Sequence, residues 1–248
     1  MQNASSKPPF PTASLTGARE NCLLLQKYVQ EGMFRRTFNK KQLLLYAITD
    51  RTWLLNEGSL YEAVEESLKG GVTCLQLREK KLDAERFLEE AQQLKPLCHG
   101  YGIPLIINDN VEIALKSNAD GVHIGQSDGD IAATRARIGN KILGVSASTI
   151  EEALEAERAG ADYLGVGAVF PTNSKNDAEN ISLSTLRDIC NAVSIPVVAI
   201  GGITLENFSL LTDSGICGIA VISAIYAQKD IQTAAERLRA KAERCFGK

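Results

Sequence analysis

The sequence predicts an α/β protein, a (β/α)8 TIM barrel preceded by an N-terminal extension, and three observations carry that prediction. From residue 43 onward, short β-rich apolar runs alternate with amphipathic stretches of helical period, the pattern of βα units around a parallel sheet. Polar and charged residues gather at the C-terminal ends of seven of the eight runs. The length, 248 residues, matches the roughly 250 of one closed barrel and is long for two small domains.

Residues 1–40 read differently from the rest. Positions 5–11 are rich in Ser and Pro, 34–41 are basic and irregular, and 23–29 would form at most a short helix, marginal in water without a surface to pack on. These residues are taken as the extension and 41–248 as the barrel catalytic domain. Strands are expected at 43–49, 72–77, 105–107, 121–124, 142–145, 163–166, 197–200 and 218–222, with helices among them at 60–69, 84–97, 150–159, 183–192 and 231–245. Four helix-to-strand joints resemble one another: Gly70-Gly71-Val72-Thr73, Ser117-Asn118-Ala119-Asp120, Ala159-Gly160-Ala161-Asp162 and Ser214-Gly215-Ile216-Cys217. Gly or Asn stands where a helix ends in a left-handed cap, which implies one repeated unit. Right-handed crossovers between eight parallel strands close a barrel, although an open doubly wound sheet would pattern alike.

Composition narrows the class of function. At 44% hydrophobic and 23% charged residues, the chain has the material for a sizeable core. A net charge of −3 argues against a nonspecific grip on nucleic acid, which needs a concentrated basic surface. The six cysteines, Cys22, Cys74, Cys98, Cys190, Cys217 and Cys245, form no C-x-x-C pair and have only two histidines beside them, so a structural zinc site is not expected. Free thiols of this kind suit a reducing cytosol. No run approaches the roughly 18 apolar residues of a membrane span, and no export signal opens the chain; a soluble, cytoplasmic protein is expected.

The strand ends supply the candidate chemistry. Gly201-Gly202 closes the seventh strand, with Thr204 as a helix cap beyond it, and Ile222-Ser223 closes the eighth. Glycine lets backbone approach an anion, helix starts offer free N–H groups, and these two loops are the usual phosphate site of the architecture. Asp109 and Asp128 follow two successive strands and could converge on one hard cation, for which Mg2+ is the natural choice beside phosphates. Aspartate before a helix is also a common cap, so both roles stay open for Asp128; Asp109, between Asn108 and Asn110, favours the metal. Arg78 and Lys80, with Gln76 close by, put positive charge at another strand end, where Glu79 could neutralise one of them. Lys175 shares a loop with Thr172, Asn173 and Ser174. His123 reads as an interior packing residue, and His99 as a helix-end residue placed by the dipole.

Taken together, QLREK (76–80), NDN (108–110), HIGQSD (123–128), GVSAS (144–148), PTNSK (171–175), AIGGI (199–203) and VISAI (221–225) resemble, in order and spacing, the thiamine phosphate synthase family from about residue 43 to the C-terminus. The resemblance implies a transferase that joins a pyrimidine diphosphate to a thiazole phosphate with Mg2+ and releases pyrophosphate. It implies that Gln76, Leu77, Arg78, Glu79, Lys80 and Asn108 hold the pyrimidine diphosphate, that Ser146 touches the pyrimidine or its pyrophosphate, and that Asp109 and Asp128 bind the metal. Thr172, Asn173, Ser174, Gly201, Gly202, Ile222 and Ser223 would hold the thiazole phosphate. Lys80, Ser146 and Lys175 are the implied catalytic residues. Two positions depart from the family pattern: Asn110, where Asp is frequent, and Ser148, where His is frequent.

The nearest rival is a thiazole tautomerase on a similar barrel, which releases no pyrophosphate and needs neither the paired aspartates nor the Lys80 cluster. A third reading is a noncatalytic phospholigand-binding protein that uses residues 1–40 to reach a partner. On the enzymatic reading the partners are small molecules; a homo-oligomer is compatible with it, and neither nucleic acid nor membrane is expected.

Overall fold

Inward and outward side chains alternate along the strands, and that alternation decides which residues face the barrel interior. The computed structural model describes residues 39–53, 59–172 and 180–247. The strands are β1 (Leu45–Ile48), β2 (Cys74–Leu77), β3 (Leu105–Asn108), β4 (Gly121–Ile124), β5 (Ile142–Ala147), β6 (Tyr163–Val166), β7 (Val197–Ile200) and β8 (Gly218–Val221). Each pairs in parallel with the next and β8 pairs with β1, so the sheet is closed and the doubly wound alternative is excluded.

Both faces of such a sheet are buried, which is why its strands read as nearly continuous apolar runs. Residues facing outward, such as Leu75 and Leu77 on β2 or Leu105 and Ile107 on β3, pack under the surrounding helices. A smaller inner cluster holds Tyr46, Cys74, Ile106, Tyr163, Val198 and Ala220. The helices are α1 (Leu60–Lys69), α2 (Ala84–Gly100), α3 (Val111–Lys116), α4 (Ile131–Ile138), α5 (Ile150–Ala159), α6 (Leu183–Ala192), α7 (Ser223–Tyr226) and α8 (Ile231–Phe246). Side-chain oxygens of Ser59, Asp83, Asn110, Asp130, Thr149, Ser182 and Asp230 each accept a backbone N–H of the first turn that follows.

Several boundaries differ from expectation for identifiable reasons. The first strand starts later than 43 because Lys40–Leu43 winds into a 3-10 turn that buries Leu43 inside the barrel. The second helix runs on to Gly100, since Cys98 continues the buried stripe of Phe87, Ala91 and Leu94. Strand β5 extends past 145, so Ser146 stands on a strand rather than in a loop. The extension expected at 1–40 lies outside the described residues except for Asn39 and Lys40.

The four look-alike joints do share a geometry. Gly71, Asn118, Gly160 and Gly215 all have positive φ, at 91°, 53°, 102° and 89°. Two residues further on, a side chain ties the entering even-numbered strand to the odd-numbered strand before it. Thr73 Oγ1 accepts from Leu45 N at 2.9 Å, Asp120 Oδ2 from Leu105 N at 2.8 Å and Asp162 Oδ2 from Leu143 N at 2.8 Å, while the Cys217 thiol donates to Val197 O at 3.3 Å. These ties close the N-terminal end of the barrel and leave the other end to the site.

Candidate active site

A cavity of about 630 Å3 opens at the C-terminal end of the strands, within the size range of small-molecule sites. Its apolar floor includes Ile48, Ile200 and Ala220. Of the residues expected at the site, Gln76, Arg78, Lys80, Asn108, Asp109, Asp128, Ser146, Thr172, Gly201, Gly202, Ile222 and Ser223 all line this one space. Two do not. Leu77 points outward from β2 and is fully buried under the helices, because it follows the inward-facing Gln76 by one position. Glu79 turns away to Arg51 at 2.9 Å, and burial, opposed by that guanidinium, pushes its carboxyl above the ordinary value. Asn173, Ser174 and Lys175 lie outside the described residues.

The cationic side is built from β1 and β2 together. Arg78 donates to Asp50 at 2.7 Å, and its backbone N–H donates to Thr49 Oγ1 at 2.9 Å. Burial alone would raise the Asp50 carboxyl, but hydrogen bonds from Thr52 and the charge of Arg78 outweigh it and hold the carboxyl low. Arg78 is thereby fixed at the rim, with Lys80 beside it.

Next to this cationic side, after β3 and β4, stand the aspartates. Asp109 has φ 60°, the left-handed region that costs any residue with a Cβ, and its N–H donates to His123 O at 2.7 Å. Its carboxyl, still reached by solvent at the cavity mouth, is pushed up to about 6, first by partial desolvation and then by the charge of Asp128, which lies close enough to share a proton; Asn108 and Arg78 pull the other way. The cap reading for Asp128 is set aside: Asp130 caps α4, while Asp128 Oδ2 accepts from Gly125 N at 2.7 Å. Two carboxylates that crowd each other, with Asn108 adjacent, form an all-oxygen donor set whose repulsion a hard dication would relieve. No group of three His, Cys, Asp or Glu residues suited to a metal occurs among the described residues, so a cation here would draw its remaining ligands from phosphate oxygens and water.

Opposite the metal candidates, the loops after β6 and β7 are zipped together. Val169 N donates to Ile200 O at 3.0 Å and Phe170 N to Gly201 O at 3.1 Å. Gly201 and Gly202 have φ 98° and 62°, and a Cβ at Gly202 would meet Pro171 O at 2.4 Å. The glycine pair therefore both exposes backbone to the cavity and lets Thr172 approach it. At the start of α7, Ile222 and Ser223 complete this wall, where helix-opening N–H groups have no intrahelical partner.

Sequence reasoning missed a second set of polar residues. His123, expected to be simple packing, lines the cavity and hydrogen-bonds Ser146 Oγ at 3.0 Å and Tyr163 OH at 3.0 Å. Tyr46 stands on the floor, and Gln126 donates to Ser146 O at 2.6 Å. The available signal was the parity of Tyr46, Gln76, His123, Ser146 and Tyr163, each a polar residue at an inward strand position.

Comparison with known proteins now decides the family. A sequence model described as thiamine monophosphate synthase matches residues 45–225, a span that includes every barrel strand and the described site residues. The chain belongs to the thiamine monophosphate synthase family. It is 54% identical over 195 residues to a thiamine-phosphate synthase of Clostridium tetani, covering 78% of this chain and 93% of the relative. To that of Ruminiclostridium cellulolyticum it is 51% identical over 201 residues, covering 81% and 95%. Among solved structures it resembles a thiamine phosphate pyrophosphorylase from Pyrococcus furiosus, with TM-score 0.78 and 43% identity, covering 84% of this chain and 99% of that one. A 3-hexulose-6-phosphate synthase at 20% identity and TM-score 0.60 shares the fold alone. The match thus covers the strand ends that line the cavity as well as the strands themselves.

Proposed function

We propose that this chain is a thiamine phosphate synthase that joins an aminopyrimidine bearing a diphosphooxymethyl group to a thiazole bearing a phosphooxyethyl group, releasing pyrophosphate. The observation that carries the reading is the cavity's division of charge. Arg78 and Lys80 face the Asp109–Asp128 pair on one side, and a glycine-lined backbone wall stands on the other. A diphosphate and a monophosphate need two such places.

In this reading Asp109 and Asp128 would hold Mg2+, which would supply positive charge beside the diphosphate oxygens. Lys80 and Arg78, with Lys175 from its loop, add to that charge; Gln76, Asn108 and Ser146 hold the pyrimidine diphosphate. Thr172, Asn173, Ser174, Gly201, Gly202, Ile222 and Ser223 hold the thiazole phosphate, the glycines through backbone. Departure of pyrophosphate leaves the exocyclic CH2 cationic, stabilised by the ring amino group, and the thiazole nitrogen forms the new bond to it. No protein nucleophile takes part. The site's work is to align the thiazole nitrogen and to keep water from the cation, for which the apolar floor of Ile48, Ile200 and Ala220 is suited. Turnover in the cytoplasm by the enzyme alone or as a homo-oligomer belongs to the same reading.

The test is an assay with both purified substrates and Mg2+. Thiamine phosphate and pyrophosphate should appear in equal amounts. Tautomerisation of a thiazole phosphate with no pyrophosphate released would replace the reading with the isomerase, and binding without turnover would replace it with a phospholigand-binding protein.

A further inference from the structure

The inner layer of a barrel of this class is normally filled with branched aliphatic side chains, yet here a line of polar groups crosses it. Gln76 Nε2 donates to Tyr46 OH at 2.7 Å, and Tyr46 OH lies 2.8 Å from Tyr163 OH. Tyr163 OH is 3.0 Å from His123 Nδ1, and His123 Nε2 is 3.0 Å from Ser146 Oγ. The line joins two residues assigned above to the pyrimidine diphosphate, Gln76 and Ser146, through three that are not.

Space for this line is made by glycine. His123 pairs with Gly144 across β4 and β5, and Gly144 pairs with Tyr163 across β5 and β6. A Cβ on Gly144 would stand 2.3 Å from the Tyr163 hydroxyl and 2.4 Å from His123 Nδ1, so only glycine between them lets the two side chains meet. Gly165, on the far side, leaves room for the imidazole, with His123 Cε1 at 3.1 Å from where its Cβ would be.

We infer that Tyr46, Tyr163 and His123 form an ordered hydrogen-bond chain that fixes His123 as the neutral Nε2–H tautomer and thereby turns the Ser146 hydroxyl into a donor toward the pyrimidine diphosphate. An amide nitrogen can only donate, so Gln76 sets the direction. Tyr46 accepts from it and passes its own proton to Tyr163, and Tyr163 passes its proton to Nδ1. Nε2–H then donates to Ser146 Oγ, whose proton is left for the ligand. Burial holds both phenols well above their ordinary values, so each keeps the proton it must donate. With the amide reversed, the chain would run the other way and Ser146 would accept. His123 and Tyr163 are positioning residues. They act through Ser146, and the inference rests on Ser146 being a contact of the pyrimidine diphosphate.

The chain has only two histidines, which makes nitrogen NMR of the 15N-histidine-labelled protein direct, with exposed His99→Gln assigning the second signal. The expected spectrum at neutral pH shows His123 with Nε2 protonated and Nδ1 bare. Nδ1–H, or an imidazolium, would overturn the inference in the unmodified protein, whatever any variant does. Tyr163 does not line the cavity, so Tyr163→Phe tests the chain kinetically. It should lower kcat about tenfold, the effect of one modest hydrogen bond in the transition state, and leave KM for the thiazole phosphate within about twofold. A folded Tyr163→Phe with unchanged kcat would overturn it. Ser146→Ala separates the two layers of the argument: full turnover, with the expected tautomer still present, would remove Ser146 from the reaction and overturn the functional end of the inference while its geometry stood.

Discussion

Asp109 carries two costs that a residue chosen for stability would avoid. Its left-handed backbone is tolerated by Asn better than by other residues with a Cβ, and its carboxylate crowds Asp128. Asp109→Asn therefore keeps the backbone content while removing charge, which makes it a cleaner test than alanine. Because the folded carboxyl is raised to about 6 from 3.8, the wild-type protein is favoured below pH 4 by the bound proton and loses that stability as pH rises through 6. In EDTA at pH 7.5, Asp109→Asn should be more stable than wild type by about 1 kcal/mol, after allowance for solvent at the exposed side chain, and the advantage should vanish near pH 4. Turnover with Mg2+ should fall by about a hundredfold or more. Urea midpoints at the two pH values and a pyrophosphate assay check both statements. Equal stability at pH 7.5 would show that the two carboxylates do not repel in the folded state.

At the level of elements, the molecule separates its two ends. Joint residues such as Asp162 tie strand starts together far from the cavity: Asp162 accepts from Leu143 N and pairs with Arg135 at 2.5 Å. Asp162→Ala leaves both donors without that carboxylate and should cost about 2–3 kcal/mol in urea unfolding, with kcat in the folded protein unchanged. Gly202→Ala should do the reverse in emphasis. Its Cβ would collide with Pro171 O and push the Thr172 loop off the β7 loop, so KM for the thiazole phosphate should rise about tenfold or more while KM for the pyrimidine diphosphate changes little. An equal rise in both would move Gly202 out of the thiazole side.

For the whole molecule, burial of thiols sets the alkaline limit. Desolvation pushes Cys98 and Cys217 up to about 12 and Cys190 to about 11. Each is raised in the fold, so the stability it lends is complete below its ordinary value of 9 and is lost as pH climbs from there toward 12. Urea midpoints should hold steady from about pH 7 to 9 and fall between pH 9 and 11, and thiol reagents at pH 8 should label these cysteines only after unfolding. The family match spans 45–225, and the described site residues lie between Tyr46 and Ser223. A chain beginning at residue 38 should therefore retain turnover, measured against the full-length protein. Loss of activity in a folded truncation would give residues 1–37 a part in the chemistry.

Element order, the four left-handed joints and the end of the barrel where polar residues collect were all set by the sequence alone, because each depends on neighbours in the chain: a period of two or of 3.6, or a φ that only Gly or Asn accepts readily. The two aspartates and the glycine pair were legible for the same reason, standing in the short segments that follow apolar runs. What the tertiary structure decided is which side chains meet. Closure of the sheet, Glu79 turning to Arg51, Arg78 clamped by Asp50, and Tyr163 reaching His123 over Gly144 all depend on the register of strands distant in sequence. A single residue's slip would reverse every inward and outward position, and register is fixed by packing of the whole barrel rather than by any segment within it.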